Sequence, residues 1–297
     1  MPKRRTPLRN RLEASLVKGL LGLLSRRTPE AAERFGRRLG LASRRLLPGR
    51  RRLAERNLAR AFPERSPAEV SALAREVFAH FGGLAAELLR SATRPVEECL
   101  SRVEVVGLAD ALAASQSGRG VLFVTPHLGN WEFAALVTGA GGIPSTVIAR
   151  PLDNPLLDVL LTGFRQRTGN RVVPKSEAAR EVLRTLRRGG TIGILPDQHA
   201  HPPDAVVVPF FGRPASTTSA VARFAERTGA IVVAAACVRT GPARWRMTYL
   251  PPLDPRSLPE EERGVEALTR RVSAVVEAMV RENPEQWLWL HNRWRLD

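Results

Sequence analysis

The feature that most constrains the fold is an alternation, after residue 100, of short β-branched or apolar runs with longer helical stretches. The runs lie at Val103–Val106, Val121–Val124, Thr146–Ala149, Arg171–Val173, Thr191–Leu195, Ile231–Val238 and Trp245–Leu250. Helical patterns separate most of them, at residues 130–139, 154–167, 176–188 and 216–228, and a last helix is expected at about 259–282. Because this alternation is typical of βαβ units, the sequence predicts an α/β fold with a central, mostly parallel sheet flanked by helices.

Net charge divides the chain into two parts. The 297 residues include 46 Lys and Arg against 29 Asp and Glu, a formal net charge of +17. Residues 1–60 hold 18 of the basic and 4 of the acidic side chains, whereas residues 61–297 are nearly balanced. We therefore expect the N-terminus to meet an anionic partner, either nucleic acid or a membrane surface. Nucleic-acid arms interleave aromatic with basic residues, and Phe35 is the only aromatic before residue 62, which favours the anionic membrane surface and no nucleic acid.

A leucine-rich segment in the basic region has the period of an amphipathic helix. Its apolar residues include Leu12, Leu16, Leu20, Leu23 and Leu24, with Arg9, Arg11 and Lys18 among them. The apolar stretch is far shorter than the roughly 20 residues that span a bilayer, and no signal-peptide cleavage site follows it. We expect residues 1–28 to be a basic, membrane-associating segment and residues 29–297 to be the catalytic domain. The alternative is an ordinary surface helix packed on that domain.

The positions of the cysteines and histidines indicate whether disulfides or metal sites are expected. Cys99 and Cys237 have neither the spacing of a disulfide framework nor that of a zinc site, which predicts reduced thiols in a cytoplasmic environment. His199 and His201 lie close to Asp197 and Asp204, a set that could bind a metal. The adjoining Pro202-Pro203 favours a stiff exposed loop instead. We expect neither a metal nor a cofactor.

The sharpest local feature follows the run Val121–Val124. Pro126 ends this predicted strand, and Asn130 is a good cap for the next helix. His127 then lies in a turn at the C-terminal edge of the sheet, where α/β proteins bind their ligands. Glu132, in the first helical turn, can fold back toward the imidazole, so that its carboxylate fixes the tautomer while the other ring nitrogen accepts a proton. The alternative is a structural histidine beside a helix-capping glutamate.

The sequence offers no serine or cysteine nucleophile in a recognisable motif, which indicates where the attacking group comes from. No serine or cysteine lies in an elbow of the type G-x-S-x-G, so a covalent acyl-enzyme is not suggested. A base without a protein nucleophile implies that a hydroxyl of the bound substrate attacks.

Six sequence blocks, in order over roughly residues 50–295, carry a resemblance to a known family. They are Arg56-Asn57-Leu58 with Ala61-Phe62-Pro63; His127-Leu128-Gly129-Asn130-Trp131-Glu132; Arg150-Pro151 with Asn154-Pro155-Leu156-Leu157-Asp158, Arg165 and Arg167; Leu195-Pro196-Asp197-Gln198; Val208-Pro209-Phe210-Phe211-Gly212 with Thr217-Thr218; and Glu285-Gln286-Trp287 through Trp294. Together they resemble the bacterial lipid A biosynthesis lauroyl/myristoyl acyltransferase family, within the lysophospholipid acyltransferase superfamily.

That resemblance implies an O-acyltransferase at the cytoplasmic face of the bacterial inner membrane, either peripheral or anchored by its N-terminus. It would move a fatty acyl chain from acyl carrier protein or acyl-CoA to a hydroxyl of a lipid A precursor. His127 would deprotonate that hydroxyl, and Glu132 would orient His127. The family commonly begins with a membrane-spanning helix, whereas the segment here is short and interrupted by Lys18.

Arginine and acidic residues of the same blocks are the candidates for substrate binding. Arg165 is the first candidate for holding substrate or transition-state charge, ahead of Arg150 and Arg167. The alternative is that some of these arginines only form ion pairs with Asp153 or Asp158. The resemblance also implies that Asp197 and Gln198 shape the site, although both could equally be turn residues.

Aromatic residues leave two further alternatives. Phe210 and Phe211 could line an acyl-chain channel or could equally be core residues. Trp287, Trp289 and Trp294 suit either an interfacial aromatic belt or packing of the chain's end onto the core.

Two other functions compete with acylation of a lipid A precursor. One is acyl transfer to another glycolipid or to a lysophospholipid, such as a phosphatidylinositol mannoside. The other is a non-catalytic basic protein that binds membrane or nucleic acid, which the balanced composition of residues 61–297 does not favour.

Overall fold

The computed structural model describes residues 6–174 and 178–295, and the predicted start of a helix at residue 176 falls outside them. Within this part of the chain, the helices are α1 (Pro7–Ser25), α2 (Pro29–Leu46), α3 (Pro48–Ala61), α4 (Pro67–Ser91), α5 (Val96–Leu100), α6 (Leu108–Gln116), α7 (Trp131–Ala140), α8 (Pro155–Gln166), α9 (Ala178–Arg187), α10 (Ala220–Thr228), α11 (Glu260–Arg263) and α12 (Val265–Glu282). The strands are β1 (Val103–Val106), β2 (Val121–Val124), β3 (Thr146–Ala149), β4 (Arg171–Pro174), β5 (Thr191–Ile194), β6 (Ala205–Phe210), β7 (Arg213–Thr218), β8 (Ile231–Gly241) and β9 (Arg244–Tyr249).

Seven strands form one sheet in the order β1-β9-β8-β2-β5-β3-β4. All neighbours in it are parallel except β8 and β9, which form an antiparallel hairpin. The predicted α/β fold with a mostly parallel sheet is therefore confirmed, and each predicted run contributes a strand. Because β2 and β5 are parallel neighbours, the segments that follow them emerge side by side at one edge of the sheet.

Alternating side chains of β2 enter two hydrophobic cores, one on each face of the sheet. Leu122 and Val124 pack in the core that contains α10 and α12, whereas Val121 and Phe123 pack in the core that contains α7. Burial of both faces explains why β2 is apolar at every position, as expected for a central parallel strand.

Two local predictions were wrong. The helix expected at 216–228 starts only at Ala220, because the residues before it form β7, which pairs with β6 in a separate antiparallel hairpin. Thr217 and Thr218 pair there with Val206 and Ala205, so they belong to the hairpin and not to the helix. The helix expected at 259–282 is divided at Gly264, whose extended φ/ψ separates α11 from α12.

The N-terminal helices pack on the sheet domain through α4. Helices α2 and α4 come together at glycines: a Cβ on Gly40 would lie 2.0 Å from the carbonyl oxygen of Phe78, so only glycine permits this approach. Helix α1 packs on α4 and contacts α8. The division into a membrane-associating segment, residues 1–28, and a catalytic domain, residues 29–297, stays a prediction.

Candidate active site

The loop after β2 is held from three directions. The backbone N–H of Thr125 donates to the carbonyl of Ile194 in β5, at 3.0 Å. Gly129 donates to the carbonyl of Gln286 at 3.0 Å, and Leu288 donates to the carbonyl of His127 at 3.1 Å. Gly129 has φ +60°, and a Cβ there would lie 2.0 Å from the carbonyl oxygen of Cys237. The chain's C-terminal segment therefore fixes the loop that carries His127.

His127 is bonded to Asp197, which follows the neighbouring strand β5. His127 Nδ1 lies 2.7 Å from Asp197 Oδ1, and the backbone N–H of His127 donates to Asp197 Oδ2 at 2.7 Å. The carboxylate thus holds both the ring and the backbone of one residue. A hydrogen bond from Nδ1 to a carboxylate selects the tautomer in which Nε2 carries the lone pair.

Asp197 is held in its ionised form by its partners. The indole Nε1 of Trp287 donates to Oδ2 at 2.7 Å. Burial by itself would raise the pKa of Asp197, but the charge of His127 and the hydrogen bonds from His127 and Trp287 outweigh burial and lower that pKa. A buried aspartate with a lowered pKa supplies a fixed negative charge behind the imidazole.

Gln198 lies on the other side of the same ring. Its Nε2 is 3.4 Å from Nε2 of His127. An amide N–H at this position is a weak donor to the ring's lone pair, at the long end of hydrogen-bond distances. Asp197 and Gln198, both predicted near the site, therefore contact the two nitrogens of His127.

Glu132 pairs with Arg165, which corrects its expected contact with His127. Arg165 Nε donates to Glu132 Oε2 at 2.7 Å, and Nη2 donates to Oε1 at 2.6 Å, a bidentate pair between α7 and α8. The first turn of α7 directs the Glu132 carboxylate toward α8, and the carboxylate that contacts the imidazole is that of Asp197. Burial tends to lower the pKa of Arg165, yet the hydrogen bond and charge of Glu132 raise it.

Trp131 joins the two carboxylate pairs. Its ring packs edge-on against the His127 ring, with centroids 5.2 Å apart, and its Nε1 donates to Glu132 Oε1 at 3.1 Å. The pair Glu132–Arg165 is therefore adjacent to His127. Because Glu132 engages Nε and Nη2, Arg165 Nη1 lies outside the pair.

The other two arginine candidates are not brought to this cluster. Arg167 donates to the carbonyls of Ser91 and Arg94, at the end of α4, so its guanidinium stabilises packing there. Arg150 has a side chain that is 73% exposed and pairs with Asp153 at 3.5 Å. The ion-pair alternative therefore applies to Arg150.

Phe210 and Phe211 lie in an aromatic cluster of the core. Its other members are Phe62, Trp287, Trp289 and Trp294, with neighbouring ring centroids 4.6 to 6.4 Å apart. All three tryptophans are buried, so the packing alternative holds for the end of the chain. Trp287 shows that this cluster also reaches the site, because its indole bonds Asp197.

The described residues contain neither a metal-binding cluster nor a membrane-spanning helix. No group of three or more His, Cys, Asp and Glu side chains there is arranged to hold a metal ion. The rings of His199 and His201 instead contact each other, with centroids 4.7 Å apart. Across residues 6–174 and 178–295, no helix combines the length and the apolar character needed to cross a bilayer.

The sequence of this chain matches one known protein family over almost its whole length. The family model for bacterial lipid A biosynthesis acyltransferases matches residues 2–296. The chain belongs to that family. It is an acyltransferase enzyme, as the sequence blocks predicted.

Individual relatives of this acyltransferase are distant. The lipid A biosynthesis myristoyltransferase of Escherichia coli (strain K12) is 28% identical over 254 residues, which cover 85% of this chain and 77% of that protein. The lipid A biosynthesis lauroyltransferase of the same strain is 27% identical over 279 residues, 93% of this chain and 89% of that one. Among solved structures, the 1-acyl-sn-glycerophosphate acyltransferase PlsC from Thermotoga maritima is similar with a TM-score of 0.41 and 17% identity, over 87% of this chain and 99% of that one.

Two residues of the acyltransferase site were not identified as such from the sequence. Trp287 was placed only within an aromatic tail, and Trp131 only within a motif. The sequence around each tryptophan does not show that its indole contacts a carboxylate. For Trp287 the partner, Asp197, is 90 positions away. The only available signal was that both lie within blocks typical of the family.

Proposed function

We propose that this acyltransferase moves a fatty acyl chain from an acyl thioester, carried by acyl carrier protein or coenzyme A, to a hydroxyl of a lipid A precursor. The observation that carries the proposal is the chain of hydrogen bonds from Trp287 through Asp197 to His127 Nδ1, which leaves Nε2 as the proton-accepting nitrogen of the ring. Family membership supports the acceptor class.

His127 is the general base of the proposed reaction. Its side chain is 20% exposed, so the acceptor hydroxyl can approach Nε2. When the hydroxyl binds there, it displaces the weak contact with Gln198 and gives its proton to Nε2 as its oxygen attacks the thioester carbonyl. The charge on Asp197 stabilises the imidazolium that results, and the imidazolium then returns the proton to the departing thiolate. Base catalysis of this kind contributes about 10²–10⁴ in rate.

Arg165 supplies positive charge next to the base. Negative charge grows on the carbonyl oxygen during attack, and a fixed donor directed at that oxygen stabilises the transition state. Glu132 keeps the guanidinium in place, while Nη1 lies outside the pair and can donate to an anionic oxygen. Glu132 thus acts through Arg165 in this proposal.

The proposed location is the cytoplasmic face of the inner membrane. Residues 1–28 include Arg9, Arg11 and Lys18 on an exposed helix, and we propose that this basic segment binds anionic lipid headgroups. The enzyme would then be peripheral and would meet its lipid acceptor at the bilayer surface.

A transfer assay tests the proposed reaction. Purified protein receives acyl carrier protein and coenzyme A thioesters with either a lipid A precursor or a mannosylated phosphatidylinositol, and products are identified by mass spectrometry. We expect acylation of the lipid A precursor and its loss in His127→Ala. Arg165→Ala is compared with the matched control Arg270→Ala, an exposed arginine of α12 paired with Glu266. Transfer only to the mannosylated lipid would refute the proposal that the acceptor is a lipid A precursor. Full activity of His127→Ala would refute the proposal that His127 is the general base.

A further inference from the structure

Helix α1 presents an apolar face to solvent, on the side opposite its contact with the domain. Its buried residues are Ala14 and Leu24. In contrast, Leu8, Leu12 and Leu16 are each 63 to 68% exposed, and they recur every four residues. The helix therefore packs on the domain and still leaves these three leucines in water, so the two alternatives for this segment are compatible.

A second apolar face lies on α8 and the loop before it. Leu152, Leu156 and Val159 are 42, 50 and 73% exposed. Leu156 and Val159 are three residues apart in α8 and so lie on one side of it, and Leu152 lies in the loop that precedes the helix. Phe164, on the opposite side, is the residue that α8 buries. An apolar outer face with a buried inner face is unusual for a helix of a water-soluble surface.

The two faces belong to helices in direct contact. The side-chain amide of Asn154, which caps α8, donates to the carbonyl of Asn10 at 3.0 Å and to Glu13 Oε2 at 3.1 Å, both in α1. We call the six exposed residues Leu8, Leu12, Leu16, Leu152, Leu156 and Val159 the α1–α8 apolar face. Exposed apolar surface of this kind, here on two helices in contact, is typical of a protein or membrane contact.

Composition favours a bilayer over a protein partner. The α1–α8 apolar face is entirely aliphatic, whereas protein interfaces are enriched in aromatic residues and Met. Exposed basic side chains flank it: Arg9, Arg11 and Lys18 on α1, and Arg150 before α8. Aliphatic residues bordered by cations match an anionic lipid surface, in which acyl chains lie beneath phosphates.

We infer that α8 is a second membrane-binding element, which inserts the Leu152–Val159 side of the enzyme into the same anionic lipid surface as α1. This inference rests on the proposed function, since it assumes a lipid-bound acceptor. The same helix carries Arg165 toward its C-terminal end, bonded to Glu132. Docking through α8 therefore places the site one helix away from the headgroups, so that the acceptor reaches His127 along the membrane surface.

Labelled cysteines measure which helix enters the lipid. The native Cys99 and Cys237 are both buried, so a cysteine introduced at the surface is the one that reacts with a fluorophore sensitive to polarity. Val159→Cys and Leu12→Cys are compared with the control Val207→Cys, a residue of β6 that is 55% exposed. Vesicles of phosphatidylethanolamine and phosphatidylglycerol, with and without a quencher in the acyl chains, are then added. We expect blue-shifted, quenched emission from positions 159 and 12 and no change at 207.

Binding strength gives a second measurement. Leu156→Ser with Val159→Ser should weaken cosedimentation with these vesicles by about tenfold to a hundredfold, because two aliphatic side chains no longer leave water. The matched pair Val106→Ser with Val207→Ser, both at exposed strand positions, should bind as wild type does.

The outcomes separate this inference from the proposed function. If the label at 159 stays in water while that at 12 is quenched, α8 does not insert, and the inference is wrong although acyl transfer stands. If neither label is quenched, the inference is also wrong. Loss of the transfer reaction itself is read in the separate mass-spectrometric assay, whatever the labels show.

Discussion

The two carboxylates at the site have different surroundings. Asp197 accepts hydrogen bonds from an imidazole, a backbone N–H and an indole, whereas Glu132 accepts two from one guanidinium and one from an indole. Asp197 is thus coupled to a group that gains and loses a proton, and Glu132 to one that keeps its charge. In the proposed mechanism, the carboxylate of Asp197 therefore assists proton transfer on one side of Trp131, and that of Glu132 positions a charge on the other.

Removing the charge on the proton-transfer side should have the largest effect. Asp197→Asn keeps the shape of the side chain but no longer stabilises the imidazolium, so we expect kcat to fall by up to about 10⁴ with a small change in KM. Steady-state kinetics with the acyl thioester measures both parameters. A fall in kcat of only about threefold would mean that Asp197 merely packs the loop.

Changes on the Glu132 side should cost less. Glu132→Gln weakens the hold on Arg165, and Arg165→Ala removes the charge, so each should lower kcat by about 10²–10³. Since both act through one guanidinium, the double variant should be little worse than Arg165→Ala. Additive losses in this double-mutant cycle would instead show that Glu132 acts independently of Arg165.

Trp287→Phe should affect the pH dependence more than the maximum rate. The indole is one of the donors that lower the pKa of Asp197, so its loss raises that pKa. Activity that requires ionised Asp197 is lost as pH falls through this pKa, so the acidic limb of the kcat/KM profile, to which protonation of the general base also contributes, should steepen at a higher pH in the variant than in the wild type. The maximum should fall about tenfold or less. An unmoved acidic limb with a lowered maximum would indicate a packing defect alone.

Arg167→Ala should have the smallest effect on catalysis, although the residue lies two positions from Arg165. Its hydrogen bonds to the carbonyls of Ser91 and Arg94 stabilise the end of α4, so the free energy of unfolding should fall by about 1–3 kcal/mol. Urea unfolding measures that loss, and kcat of the folded enzyme should stay near wild type. A large fall in kcat without a loss of stability would contradict the difference between these two arginines.

Much of the architecture could be predicted because it depends on local pattern. Apolar runs at regular spacing predicted the strands of the sheet, and the turn after β2 placed His127 at its C-terminal edge. Asp197 was likewise placed at a strand end. The hairpin β6–β7 was missed because its residues acquire strand structure by pairing with each other.

The pairing inside the site could not be predicted from spacing. His127 and Asp197 meet because β2 and β5 are neighbours, although β3, β4 and three helices lie between them in sequence. The five-residue spacing of His127 and Glu132 favoured a direct contact, but the first turn of α7 directs Glu132 toward α8. Strand order and helix direction depend on contacts between residues far apart in the chain, and the local pattern of one sequence does not predict such contacts.

The hydrogen bond from Trp287 to Asp197 has a consequence for biosynthesis. A ribosome synthesises α1 before residue 287, so under the proposed function the nascent chain can meet the membrane while the site still lacks the indole of Trp287 and the backbone bridge to Leu128. In the proposed mechanism, acyl transfer therefore begins only after residue 287 has been synthesised, and a chain truncated before that residue would bind the membrane without activity.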